Sequence, residues 1–107
     1  MSKDQLQGAL DLLILKILAR GALHGYGLAQ RIQQISDEVL RVEEGSLYPA
    51  LHRMEQLEWI EADWRPTENS RRAKYYKLTP AGRRQLAHEQ ERWSRVTGAV
   101  AKVLRYA

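Results

Sequence analysis

The run Gly45-Ser46-Leu47-Tyr48-Pro49-Ala50-Leu51-His52-Arg53-Met54-Glu55 is followed closely by Trp59-Ile60-Glu61 and then by the basic stretch Ser70-Arg71-Arg72-Ala73-Lys74. At roughly 100° per residue, Leu47, Ala50, Leu51, Met54 and Leu57 share one face of a helix. Pro49, His52 and Gln56 lie opposite, flanked by Tyr48 and Arg53. Ser46 is the expected N-cap, which sets Pro49 in the first turn, where a missing N–H is harmless. The outward face is uncharged at its centre and basic at one edge.

Beyond this helix the period changes. From Trp59 to Trp64 the chain alternates, with Ile60, Ala62 and Trp64 pointing one way and Glu61 and Asp63 the other. A polar turn over Pro66, Thr67, Glu68, Asn69 and Ser70 leads to a second alternating segment, Lys74-Tyr75-Tyr76-Lys77-Leu78, with Tyr76 and Leu78 expected inward. The result is a hairpin with a long, basic tip. A helix of this kind fits the major groove of duplex DNA, and a cationic hairpin beside it can follow the phosphates or reach the adjoining minor groove. The order helix, strand, wing, strand is that of a winged helix-turn-helix.

Upstream, Leu6, Leu10, Leu13, Ile14, Ile17 and Leu18 recur at helical spacing, predicting a first helix over about residues 4 to 19 that Gly21 ends. Leu12 and Leu15 make it apolar on a second side, which the rest of the domain or another protomer must cover. A second helix, about 25 to 36, is expected to turn Leu28, Ile32 and Ile35 inward. Downstream, Thr79-Pro80 supplies an N-cap and a first-turn proline for a final helix reaching about residue 105. It carries Leu86, Trp93 and Val100 seven apart, with Val96 and Val103 between them at heptad spacing. At about 39 Å it exceeds the roughly 34 Å width of a compact globule of this size, so its far end should project. A projecting apolar seam favours a two-fold dimer, with Leu6, Leu10, Leu86, Trp93, Val96, Val100 and Val103 as expected interface residues. The fold class is therefore mainly α with a small β-hairpin: residues 1–78 form the winged helix-turn-helix and residues 79–107 the dimerisation helix, within one structural unit.

The totals agree with this reading. A chain of 107 residues fits one domain with a modest core, and its net charge of +4 suits a polyanionic partner. There is no cysteine, so disulfides and thiolate zinc sites are excluded, and a reducing cytoplasm is the expected setting. No apolar run approaches the roughly 18 residues of a membrane span, and no membrane partner is expected. The three histidines, at 24, 52 and 88, lack metal-ligand spacing. No phosphate-binding glycine loop, nucleophile elbow or carboxylate pair stands out. Neither catalysis nor a cofactor is expected.

In five places, in order, the chain resembles the short PadR-family transcriptional regulators. These are Leu10-Asp11-Leu12-Leu13-Ile14-Leu15, His24-Gly25-Tyr26-Gly27, Gly45-Ser46-Leu47-Tyr48-Pro49-Ala50-Leu51, Arg71-Arg72-Ala73-Lys74-Tyr75-Tyr76 and Leu78-Thr79-Pro80-Ala81-Gly82. One departure is Gly27, where many relatives carry a larger residue. The resemblance implies a homodimeric winged-helix repressor whose first and last helices form the dimer interface. In some members small aromatic compounds release the DNA.

The candidate DNA-binding residues are Tyr26, Ser46, Tyr48, Pro49, His52, Arg53, Arg71, Arg72 and Lys74. Each also has a plain structural role to weigh: a solvated helix face for His52 and Arg53, a cap for Ser46, packing for Tyr26 and Tyr48. For Arg71, Arg72 and Lys74, the best candidates for phosphate or minor-groove contact, that plain role is to keep an edge strand from pairing with other chains. Trp93 suits a dimer core, and facing its symmetry mate it could also stack a flat aromatic effector. The expected function is a dimeric, sequence-specific DNA-binding repressor; the alternative is a winged-helix protein-interaction module that holds an acidic protein partner.

Overall fold

The structure is a computed structural model that describes the backbone of residues 3–107 and the side chains of residues 9–107. Four helices, α1 (Lys3–Leu18), α2 (Gly25–Ile35), α3 (Glu44–Gln56) and α4 (Pro80–Tyr106), accompany strands β1 (Leu23–His24), β2 (Ile60–Pro66) and β3 (Arg72–Leu78). The strands form one antiparallel sheet in the order β1-β3-β2. The hairpin register runs from Ile60 opposite Leu78 to Pro66 opposite Arg72. Pro66 thus belongs to the strand rather than the turn, at the end of an edge strand, where a missing N–H costs least. The tip is closed by Thr67, whose Oγ1 donates to the Arg71 carbonyl at 2.8 Å, and by Ser70 at φ 61°. β1 went unread in the sequence because two residues cannot display an alternation; Leu23 pairs with Tyr76 and His24 with Tyr75.

α1 runs through the middle of the core. Ile14, Leu15 and Leu18 are buried against Leu28, Leu51, Met54 and Ile60. Leu12 is buried as well, so the second apolar side of α1 is covered by the domain itself. Tyr76 and Leu78 face inward, as their alternation requires. Three expectations need correction. Ile35 is 64% exposed, because α2 ends there and its last turn overhangs the core. Leu86 is buried in its own protomer and is closed to a partner. The third concerns the start of α3: Glu43, in extended conformation, is its N-cap, and the Ser46 and Leu47 amides both donate to the Glu43 carbonyl. Ser46 therefore lies inside the helix, and Pro49 falls beyond the first turn, leaving the Gly45 carbonyl without the amide that would normally reach it. Of the other expected interface residues, Leu10 and Trp93 are half-buried at the edge of the core, and the Leu6 side chain lies outside the described residues.

The direction of α4 is fixed at its first turn. Thr79 Oγ1 accepts from the Gly82 amide at 3.0 Å and donates to the Glu58 carbonyl at 2.6 Å, while the Thr79 amide donates to the Trp59 carbonyl at 3.1 Å. A β-carbon on Gly82 would stand 2.0 Å from the Trp59 oxygen, so only glycine lets α4 lie this close to the backbone between α3 and β2. Pinned there, α4 extends past the core and the molecule measures 56 × 29 × 23 Å. Val96, Val100 and Val103 are all exposed along it.

Gly82→Ala is expected to destabilise the protein by about 3 kcal/mol, because backbone must move to admit the methyl group. Gly98→Ala, in open space on α4 and off the valine seam, is expected to stabilise it by roughly 0.5 kcal/mol. Urea unfolding of the two variants checks the contrast.

Candidate nucleic-acid interface

The interface is built around the start of α2. His24 precedes the helix in extended conformation, and its Nδ1 accepts from the Gly27 amide at 2.9 Å. The imidazole edge also rests on the Tyr75 ring, with centroids 5.2 Å apart. This fastens α2 to the base of the wing. Gly25 follows, and a β-carbon there would lie 2.9 Å from the Tyr48 ring, so the missing side chain lets α3 bring Tyr48 directly over the first turn of α2.

Between these two helix starts and the wing lies a cleft of about 640 Å³. Tyr26 and Tyr48 contribute from the helices; Arg71, Arg72 and Lys74 contribute from the wing. Five candidates far apart in sequence are thereby gathered around one concavity. Ser46, Pro49 and His52 are exposed on α3, outside the cleft lining. Trp64 is not among the sequence candidates: it shares a strand side with Ile60 and Ala62 but lies beyond the edge of the core, 59% exposed, and lines the cleft. His24 also lines it. The signal for both was the density of aromatic residues among basic ones.

The cations divide into two kinds. Arg71 and Arg72 are exposed and have no ion-pair partner among the described residues. Lys74 is engaged: its Nζ donates to Glu55 Oε1 at 2.8 Å and sits 5.6 Å from the Tyr76 ring centre. That hydrogen bond, chiefly, raises the Lys74 pKa above the ordinary lysine value. The lysine side of the pairing therefore stays charged at neutral pH and is lost as pH rises through the elevated value. Burial likewise raises the Tyr76 phenol pKa and keeps the ring neutral.

Arg53 departs from expectation. Its guanidinium turns back onto α1, donating from Nη1 and Nη2 to the two Asp11 carboxylate oxygens at 2.9 and 2.7 Å. Asp11 is buried, and the hydrogen bonds to it raise the Arg53 pKa further. A bidentate fork of this geometry ties α3 to α1 and draws the guanidinium away from the outward face.

An outward helix face flanked by a cleft of phenols, an indole and two unpaired guanidiniums suits an extended polyanion: phosphate oxygens take the donors, and rings pack on sugars or bases. Among the described residues no cluster of ligands for a metal is present. Fold and site together define a winged-helix regulator. Residues 14–88 match the PadR-like family of transcriptional regulators, and the chain belongs to that family, one of regulators and not of enzymes. It is 34% identical to the transcriptional regulator Rv3488 of Mycobacterium tuberculosis, over 78% of this chain and 75% of that one. It is 40% identical to an uncharacterized 37.1 kDa protein in transposon TN4556 of Streptomyces fradiae, over 84% of this chain but only 24% of that protein's length. Among solved structures, a transcriptional regulator from Clostridium thermocellum superposes with TM-score 0.84 at 29% identity, covering 95% of this chain and 96% of that one. A PadR-like regulator from Bacillus cereus superposes at 0.82 with 30% identity, covering 98% and 100%.

Asp11→Ala removes the carboxylate from beneath Arg53 and is expected to lower stability by about 2 kcal/mol. A loss under about 0.5 kcal/mol in urea unfolding would show that the pair does not hold α3 in place.

Proposed function

We propose that this chain is a homodimeric, sequence-specific DNA-binding repressor. The observation that carries this reading is the gathering of Tyr26, Tyr48, Arg71, Arg72 and Lys74 around one cleft, beside an exposed helix face. In each protomer α3 enters a major groove, where Ser46, Tyr48, Pro49 and His52 face the duplex. With Arg53 held by Asp11, His52 is the base-edge candidate and Tyr48 the link between groove and backbone. Arg71 and Arg72 take phosphates or reach the minor groove, and Trp64 packs against the sugar-phosphate chain. Lys74 acts from the base of the wing, holding it to Glu55 and adding positive potential to the cleft.

Dimerisation supplies the second reading head. Trp93, Val96, Val100 and Val103 form the proposed seam, with Leu10 at its α1 end, and two-fold symmetry sets the half-sites about one helical turn apart. The part of Trp93 left uncovered by its own protomer is where a planar aromatic effector would stack between two copies and shift the spacing of the recognition helices. Repression follows from occupancy: a dimer seated on promoter DNA excludes polymerase.

Fluorescence anisotropy on duplexes selected from genomic fragments tests the assignment. If the dimer neutralises about eight phosphates, log affinity falls against log salt with a slope near −7. The double variant Arg71→Ala, Arg72→Ala should bring that slope to about −4 with the fold intact. An affinity indifferent to DNA sequence would instead favour an acidic protein as the wing's partner. Val100→Glu should leave the protein monomeric at micromolar concentration in sedimentation velocity and weaken operator binding at least 100-fold; a dimer that survives it would remove α4 from the interface.

A further inference from the structure

Four of the candidate DNA-binding residues are cations: Arg53 on α3, and Arg71, Arg72 and Lys74 on the wing. Two of the four are held by carboxylates from another element, Arg53 by Asp11 of α1 and Lys74 by Glu55 of α3. The other ion pairs among the described residues are local. Arg41 meets Glu38 in the α2–α3 connection, Arg92 and Arg95 meet Glu89 and Glu91 within α4, and Arg65 and Lys77 meet Asp63 and Glu61 within the hairpin. Among those residues, every pair that joins a helix to a different element engages a cation of this surface.

The two carboxylates are placed differently. Asp11 is buried, and its fork fixes α3 to the core. Glu55 is only partly buried, and the Lys74 ammonium that donates to it at 2.8 Å belongs to the cleft that Arg71 and Arg72 also line. No lining residue of that cleft is acidic. Glu55, touching Lys74 from outside the lining, therefore offsets one of three positive charges on the wing side of the cleft. The hairpin register puts Lys74 on the strand side of Trp64 and Tyr76, toward the cleft, and the Glu61–Lys77 pair on the opposite side.

A cation already bonded to a carboxylate must give up that partner to take a phosphate, so it adds less to DNA affinity than a free one. Unmatched complexes feel this most, because they are held almost wholly by charge and shift along the duplex until each free cation finds a phosphate. In a matched complex the seating of α3 limits where the wing can reach. Resting on the DNA-binding reading above, we infer that Glu55 is a specificity-determining residue: without touching DNA, it withholds Lys74 from the phosphates and holds down affinity for unmatched duplex.

Fluorescence anisotropy across a salt series, on a selected duplex and on a scrambled duplex of the same composition, tests this. Glu55→Gln keeps an oxygen that can accept from Lys74 but removes the charge. It should bind the scrambled duplex about fivefold more tightly and the selected one less than about twofold more tightly. Its slope on the scrambled duplex should steepen by about 2, one further phosphate for each protomer of a dimer. Adding Lys74→Gln should restore the wild-type slope. Glu61→Gln, the same loss of charge on the far side of the hairpin, should leave both affinities unchanged. Glu55 and Lys74 are both partly exposed, and a cooperative unfolding transition confirms that each variant is folded. A Glu55→Gln slope equal to wild type, a gain that survives Lys74→Gln, an equal gain from Glu61→Gln or an equal gain on both duplexes would overturn the inference while leaving the DNA-binding reading in place. A wild-type chain that binds neither duplex, or both equally, would overturn that reading and this inference together.

Discussion

The pairing of Asp11 with Arg53 is the interaction on which the placement of α3 depends. Asp11 sits in a predominantly apolar helix at the centre of the core, and a buried carboxylate requires a cation with matching donors. Arg53 meets it with both arms of its guanidinium, and the planar geometry limits how α3 can roll about its axis. Leu47, Ala50, Leu51 and Met54 press α3 onto the core without fixing that roll by direction; the bidentate bond adds the angular restraint. The outward face is thereby left to Ser46, Tyr48, Pro49 and His52. Of α3 and the wing, only the wing carries exposed cations without an ion-pair partner among the described residues, Arg71 and Arg72, and in the proposed function this divides phosphate attraction from base reading.

Close approaches at glycine then assemble the elements around this frame. Gly25 admits Tyr48 over the start of α2, and Gly82 admits the Trp59 carbonyl against the start of α4. The first builds one wall of the cleft beside the wing; the second sets the line along which α4 leaves the domain. A domain this small has little core to spare, and the valines along the far half of α4 stay exposed in their own chain. In the proposed dimer a second copy covers them.

Much of this was legible in the sequence because it is written in periodicity. The four helices, the hairpin, Thr79-Pro80 at the head of α4 and the inward positions Tyr76 and Leu78 all follow from spacing, and five family-like segments in order fixed the type of fold. The wing arginines were legible as a cluster in a turn. Long-range pairing was not. Nothing local distinguishes Arg53 from a solvated arginine, since its partner lies 42 residues away. Lys74 is likewise claimed by Glu55, 19 residues back. Ile35, expected inward, and Trp64, absent from the candidates, are related cases: both keep the period of their element, but they lie where the element has run past the core. Ser46 looked like a cap because Ser before an apolar run is a strong signal, yet Glu43 takes that place and α3 starts earlier. Leu86 shows the reverse case, a seam position on the heptad that the domain's own core absorbs.

The most direct test of the account is hydroxyl-radical footprinting of the protein on a duplex it selects. Two reading heads held by one dimer predict two protected backbone segments related by a dyad and centred about one helical turn apart, each flanked by weaker protection from the wings. A single protected patch without two-fold symmetry would contradict it.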